Sequence, residues 1–357
     1  AMSIRELITA NYEAEFGGGH MLTLDSMLNQ VGTLQAAGDF GTATDLLAGI
    51  CGMYAASLSD SHPQSIECES YLAQILRDAG SLGEAEKTLQ AIAARLAASS
   101  PGINAVAVGT LMQLADISQM RGEYQVAKEL LSGLIATAGQ IGEEDLSYTG
   151  KNYLARILAS EGSLDDARML MEDVVSFGRT AWADQPLQYY NSVLELGGIY
   201  QRQSRMSEAE AIFEDSMMAL LEIVGELHPS TLVAMNNLGN IYEQLGLYDD
   251  AEPLLKQTLA GMETALGLSH PQTARARNNL ALLHESQGNF REAEPLYNTS
   301  YEHIVAELGN THPNAIAMQN NLAFLYMMME EYDAAAALFA DLIERWSISV
   351  GAEHQEA

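Results

Sequence analysis

The residues most like chemical machinery are the run Gly17-Gly18-Gly19, the pair His284-Glu285, the acidic pairs Asp165-Asp166, Asp249-Asp250 and Glu292/Glu294, the thiols Cys51 and Cys68, and the cluster Met327-Met328-Met329. A glycine loop that cradles phosphate follows a strand and ends on Lys with Ser or Thr, and nothing of that kind follows Gly19. His-Glu opens a zinc-protease motif only when a second His stands four positions after the first, and position 288 is Gly. No Gly-x-Ser-x-Gly elbow occurs. The paired carboxylates would suit acid-base work, but they recur at one place in a repeat, at helix starts. There negative charge offsets the dipole by roughly 0.3 to 1 kcal/mol. Two cysteines are too few for a disulfide framework or a thiolate zinc site, so buried free thiols in a reducing compartment are expected, with a redox or disulfide role as the alternative should stacked helices bring Cys51 and Cys68 together. The methionines are read mainly as gap fillers between helices, with binding as the alternative for Met327-Met328-Met329. No catalytic, cofactor or metal site is expected, and the chain reads as a non-enzyme.

The 357 residues carry 48 acids against 17 Lys and Arg, a net charge of −31. Phosphate backbones and anionic lipid repel such a polyanion, which excludes nucleic acid and membrane surfaces as partners. Apolar residues make up 48% of the chain, enough for a large core. No apolar run reaches the roughly 18 residues of a spanning helix, and no basic-then-apolar leader opens the chain, so a soluble cytoplasmic protein is expected. The acidity is spread over both halves and is read as a solubility device in preference to steering of a basic partner.

The elements behind these residues repeat. His228-Pro229, His270-Pro271 and His312-Pro313 are 42 apart, as are His20 and His62, and His354 follows His312 by 42. An alanine recurs at Ala43, Ala85, Ala127, Ala167, Ala209, Ala251, Ala293 and Ala335, every step 42 except the 40 from Ala127 to Ala167. A period of this size marks a stacked array whose units cannot bury their apolar faces alone. In one repeat, Leu238, Ile241, Tyr242 and Leu245 share the face of a helix A, and Ala251, Leu254, Leu255 and Leu259 that of a helix B. Between them the turn holds Gly38, Gly80, Gly122, Gly162, Gly246 or Gly288, with Ser204 and Glu330 instead in two repeats. Eight antiparallel helix pairs, an all-α fold, follow.

The segment Asn278 to Tyr297, NNLALLHESQGNFREAEPLY, resembles a tetratricopeptide repeat of the 42-residue kinesin light chain type. The likeness is strong in the last three repeats, recognisable in the fifth and reduced to Leu, Gly and Ala positions in the first four. It implies an α-solenoid, a right-handed superhelix whose A helices line a concave groove for peptides. Residues 4–19 align as a lone B helix, 20–353 as eight repeats and 354–357 as the start of a ninth. No capping helix follows Trp346, so the C-terminal end is expected as a cut edge that self-associates or packs on further sequence.

One stripe of the A helices should face the groove: Arg156 in the fourth repeat, Glu195 and Arg202 in the fifth, Asn237, Asn240 and Gln244 in the sixth, Arg275 and Asn279 in the seventh, and Asn321, Phe324 and Met328 in the eighth. Asn237, Asn279 and Asn321 match the family position whose carboxamide holds the backbone of a bound peptide. An amide donates and accepts at once and so reads main chain. The other reading is that each Asn ties neighbouring repeats together. The family's two-lysine clamp for a C-terminal carboxylate is missing, since its positions hold Val233, Arg275 and Ala317. The expected function is a scaffold that holds a peptide or helix of a protein partner. The alternative is a sensory or regulatory array of a larger protease or ATPase encoded beyond residue 357 or on a partner chain.

Overall fold

The computed structural model describes residues 9, 11–15, 17, 20–36, 40–99, 105–268, 270–308, 310 and 313–353, and every regular element among them is an α-helix. After the helical residues 11–15 (α1), the A helices are α2 (Met21–Ala36), α4 (Pro63–Asp78), α6 (Ala105–Met120), α8 (Glu144–Glu161), α10 (Pro186–Arg202), α12 (Pro229–Gln244), α14 (Pro271–Ser286) and α16 (Pro313–Met328). The B helices are α3 (Phe40–Leu58), α5 (Leu82–Ser99), α7 (Tyr124–Ile141), α9 (Leu164–Ala181), α11 (Met206–Val224), α13 (Tyr248–Leu266), α15 (Phe290–Leu308) and α17 (Tyr332–Glu353). The all-α solenoid expected from the period is the fold. Gly38, His312, the side chain of Trp346, residues 354–357 and most of 4–19 lie outside the described residues.

Local chemistry starts and stops the helices. His62, His228 and His270 are N-caps whose imidazole Nδ1 accepts the backbone N–H two residues on, at 3.2 to 3.3 Å, while the following proline needs no N–H partner. The hydroxyls of Ser65, Thr231 and Thr273 donate back to the loop carbonyls of Ser59, Gly225 and Gly267, bracketing each joint. At the other end Gly246 has φ 73°, and the Leu247 N–H donates to the Tyr242 carbonyl at 2.8 Å, closing the last turn. Ser204 and Glu330 take φ 60° and 62° with the same bond pattern, through Arg205 to Tyr200 and Glu331 to Tyr326.

Two compact units divide the chain between Ser163 and Leu164, inside the one step of the period that measures 40. In the first, each helix from α2 to α8 packs on the next, and in the second each from α9 to α17 does so. The A helices also touch one another, α4 with α6 and α6 with α8 in the first unit, α10 with α12, α12 with α14 and α14 with α16 in the second. They therefore form the closer-spaced, inner face of each unit. The repeat alanines from Ala43 to Ala335 are at most 2% exposed because they meet the partner helix where a larger side chain has no room. Gly239 is tighter still: a Cβ there would lie 2.7 Å from Leu255.

The cysteines correct the free-thiol expectation. Cys51 on α3 and Cys68 on α4 form a disulfide, their Cα atoms 5.4 Å apart, inside a core with Leu47, Ile50, Tyr54 and Ile75. Stacking a B helix on the following A helix brings the two positions together, and a bond of this kind removes the cysteine argument for a reducing compartment.

Candidate functional site

Four columns of side chains run across the A helices of the second unit, and the sequence stripe falls on them. They are Asn191, Val233, Arg275 and Ala317; Glu195, Asn237, Asn279 and Asn321; Gly198, Asn240, Leu282 and Phe324; and Arg202, Gln244, Ser286 and Met328. None of the sixteen is buried. The helical period explains this: the positions between them, such as Leu238 and Ile241, face the B helices and are 2% and 0% exposed.

The Asn ladder divides. Asn321 donates its amide to Asn278 of the preceding repeat at 2.6 Å. The half-buried side chains of Asn237 and Asn279 meet no partner among the described residues, so both keep donors and acceptors open to the face. Asn240 accepts from Gln201 at 3.2 Å and from Gln244 at 2.5 Å. Ser230 to Asn191 at 3.0 Å and Ser286 to Glu243 at 2.5 Å add further bonds between successive A helices. The columns are thus a hydrogen-bonded surface in which some amides are spent on the array and two are not. Sequence reading placed the stripe but not its internal partners, because Asn278 and Gln201 lie outside it.

Charge is segregated between the layers. The A helices α10 to α16 carry Glu195, Glu243 and Glu285 against Arg202, Arg275 and Arg277. The B helices α9 to α17 carry 21 carboxylates and five basic residues. Arg277 is buried and paired with Glu263 at 2.7 Å, whereas Arg202 and Arg275 are exposed and make no ion pair among the described residues. The acid pairs sit in first helical turns, Asp165 and Asp166 on α9, Asp249 and Asp250 on α13, and Glu292 on α15, where the dipole reading placed them.

In the first unit the inner face is different. The exposed Arg156 guanidinium lies over the Tyr153 ring, 5.0 Å from its centroid. Burial pushes the Asp116 carboxyl above its ordinary range, and the charges of Arg156 and Arg77 oppose that rise. Tyr71 donates to Gln35 at 3.0 Å. Among the described residues no group of three His, Cys, Asp or Glu is arranged to hold a metal ion, and no helix is long and apolar enough to cross a membrane.

The tetratricopeptide repeat family model matches residues 189–264, 244–304 and 272–348. No curated protein matches the chain in sequence. Among solved structures, a putative kinesin light chain of Podosopora anserina with nearly identical TPR-like repeats is 24% identical, with 56% of this chain and 95% of that one covered and a TM-score of 0.47. BtubC (BKLC) from P. vanneervenii is 19% identical, with 64% and 92% covered and a TM-score of 0.52. The apo form of the quorum sensor NprR from B. thuringiensis is 12% identical, with 94% and 92% covered and a TM-score of 0.61. At these identities the last two are likenesses of fold.

Proposed function

We propose that this tetratricopeptide repeat protein, whose repeats resemble those of kinesin light chains, is a non-enzymatic scaffold that holds an extended segment of a protein partner along the A helices of its second unit. The observation that carries the reading is the pair Asn237 and Asn279. They stand one repeat apart on an accessible face, each with a carboxamide that meets no partner among the described residues. Helix interiors disfavour asparagine, so two unspent copies in one column call for a partner outside the chain. A peptide backbone supplies donors and acceptors to both. The near-neutral A layer keeps charge from imposing a side-chain sequence on that contact. The fold likeness to a quorum sensor is in keeping with a role in sensing or regulation.

The test is a peptide array probed with the whole chain, followed by titration of the hits against the double variant Asn237→Ala, Asn279→Ala. Each lost hydrogen bond is worth about 0.5 to 1.5 kcal/mol, so affinity should fall by roughly ten- to a hundredfold with the melting temperature unchanged. Unchanged affinity would retire the face as a backbone-reading site. Arg275→Glu on a neighbouring column is the control: it should weaken acidic peptides and spare neutral ones.

A further inference from the structure

The columns are not uniform along the array, and their gradient says more about the occupant. From α10 to α16 the third column runs Gly198, Asn240, Leu282, Phe324 and the fourth Arg202, Gln244, Ser286, Met328. Polar and cationic residues at the α10 end give way to apolar ones at the α16 end. Helix α16, PNAIAMQNNLAFLYMM, has no charged residue, although 18% of the chain is charged. On its accessible side Phe324 is 49% exposed, Met327 44% and Met328 58%. The Phe324 ring is set edge-on against Phe339 of α17, with centroids 5.4 Å apart, so it is held in place while half its surface stays open. Leu282 of α14 stands next to it in the same column.

We infer that this corner seats an uncharged apolar side chain of the bound segment, aliphatic or aromatic, as an anchor at the end of a backbone that crosses Asn279 and Asn237 toward α10. The inference rests on the peptide reading above and specifies the peptide. Three observations select this occupant. Helix α16 itself offers no charge to meet a Lys or Glu, and the carboxylates nearest in sequence, Glu330 and Glu331, follow it in the turn. The two methionines are unbranched and adapt to different apolar shapes. The two unspent amides, Asn237 and Asn279, run toward it, so a chain held at Asn279 places its next side chains over Leu282 and Phe324. A-helix neighbours lie roughly 10 Å apart, so the four helices span about nine extended residues. The carboxylate-rich B helices stand in the other layer and take no part in recognition, so binding should respond weakly to salt.

The probe is a set of fluorescent ten-residue Ser/Ala peptides, each with one Leu, Phe, Lys or Glu placed at successive positions, titrated by anisotropy against the whole chain at low and high salt. Leu or Phe near one end should bind at least tenfold more tightly than Lys or Glu there, with less than a twofold change in affinity between the salts. Phe324→Ser, with Met328→Ser as a second variant, should abolish that preference and leave the weaker, sequence-independent binding through Asn237 and Asn279. Peptides that bind with no apolar preference would overturn the anchor and leave the groove reading standing. If no peptide binds, both fall. Wild-type chains that pair in sedimentation, with Phe324→Ser restoring monomers, would show the corner occupied by a second copy and also overturn the inference.

Discussion

Tyr326 of α16 donates its hydroxyl to Glu294 of α15 at 2.9 Å, a bond between one repeat's A helix and the preceding B helix. Tyr200 of α10 makes the corresponding bond to Glu172 of α9 at 2.8 Å. Burial, and then the bonded carboxylate, raise both phenols above their ordinary range, so each stays a donor throughout the neutral region. Tyr326→Phe should therefore lower stability by about 1 kcal/mol, read as a lower denaturant midpoint with an unchanged slope. An unchanged midpoint would mean that the hydroxyl adds nothing beyond the packing of the ring.

The disulfide should matter locally. It closes a short loop between Cys51 and Cys68, 17 residues apart, for which chain-entropy arguments give about 3 kcal/mol. Cys51→Ser, or strong reductant after partial unfolding, should speed hydrogen exchange in α3 and α4 and leave α12 to α16 unaffected. Two free thiols in the natively expressed protein, counted under denaturing conditions after exposure to oxidised glutathione, would contradict the bond.

Asp116 gives a pH dependence of defined sign. Its folded-state carboxyl holds a proton more tightly than in the unfolded chain, chiefly because it is partly buried. The stability tied to that proton is complete at low pH and is lost as pH rises through the ordinary carboxylate range to the raised value. Asp116→Asn should melt higher than wild type at pH 7, with the gap closing toward pH 4. A variant that melts lower at pH 7 would show that Arg77 and Arg156 outweigh the burial.

The two kinds of ladder asparagine should separate in the melting curve. Asn321→Ala leaves Asn278 without its bond and should cost about 0.5 to 1.5 kcal/mol, whereas Asn279→Ala, with no partner among the described residues, should cost less than half of that. Equal losses would place Asn279 in the structural network as well.

Most of the architecture was legible because a stacked array writes its geometry into a linear period. Ala251 and Ala293 recur where helices touch, and Ser204 takes the backbone angle of the turn glycines even though the residue type changes. What escaped was pairwise. The spacing of Cys51 and Cys68 says nothing of their distance until α3 is laid on α4, and the imidazole caps at His62, His228 and His270 looked like markers of the repeat instead of acceptors. The division of the Asn column turns on Asn278, one residue off the stripe, which periodicity cannot tell from a core position.

The nearest-neighbour packing within each unit also sets an order of events during synthesis. A helix that contacts only its immediate successors needs no distant segment to wait for, so contact order is low and each pair can dock as the next helix leaves the ribosome, at about 5 to 20 residues per second. Cys51 and Cys68 meet once α4 has emerged, before any residue of the second unit has been made. Oxidation of the nascent chain is then a question of where residues 51–68 spend those seconds, and the later repeats are built after the α3–α4 pair has set its two thiols side by side.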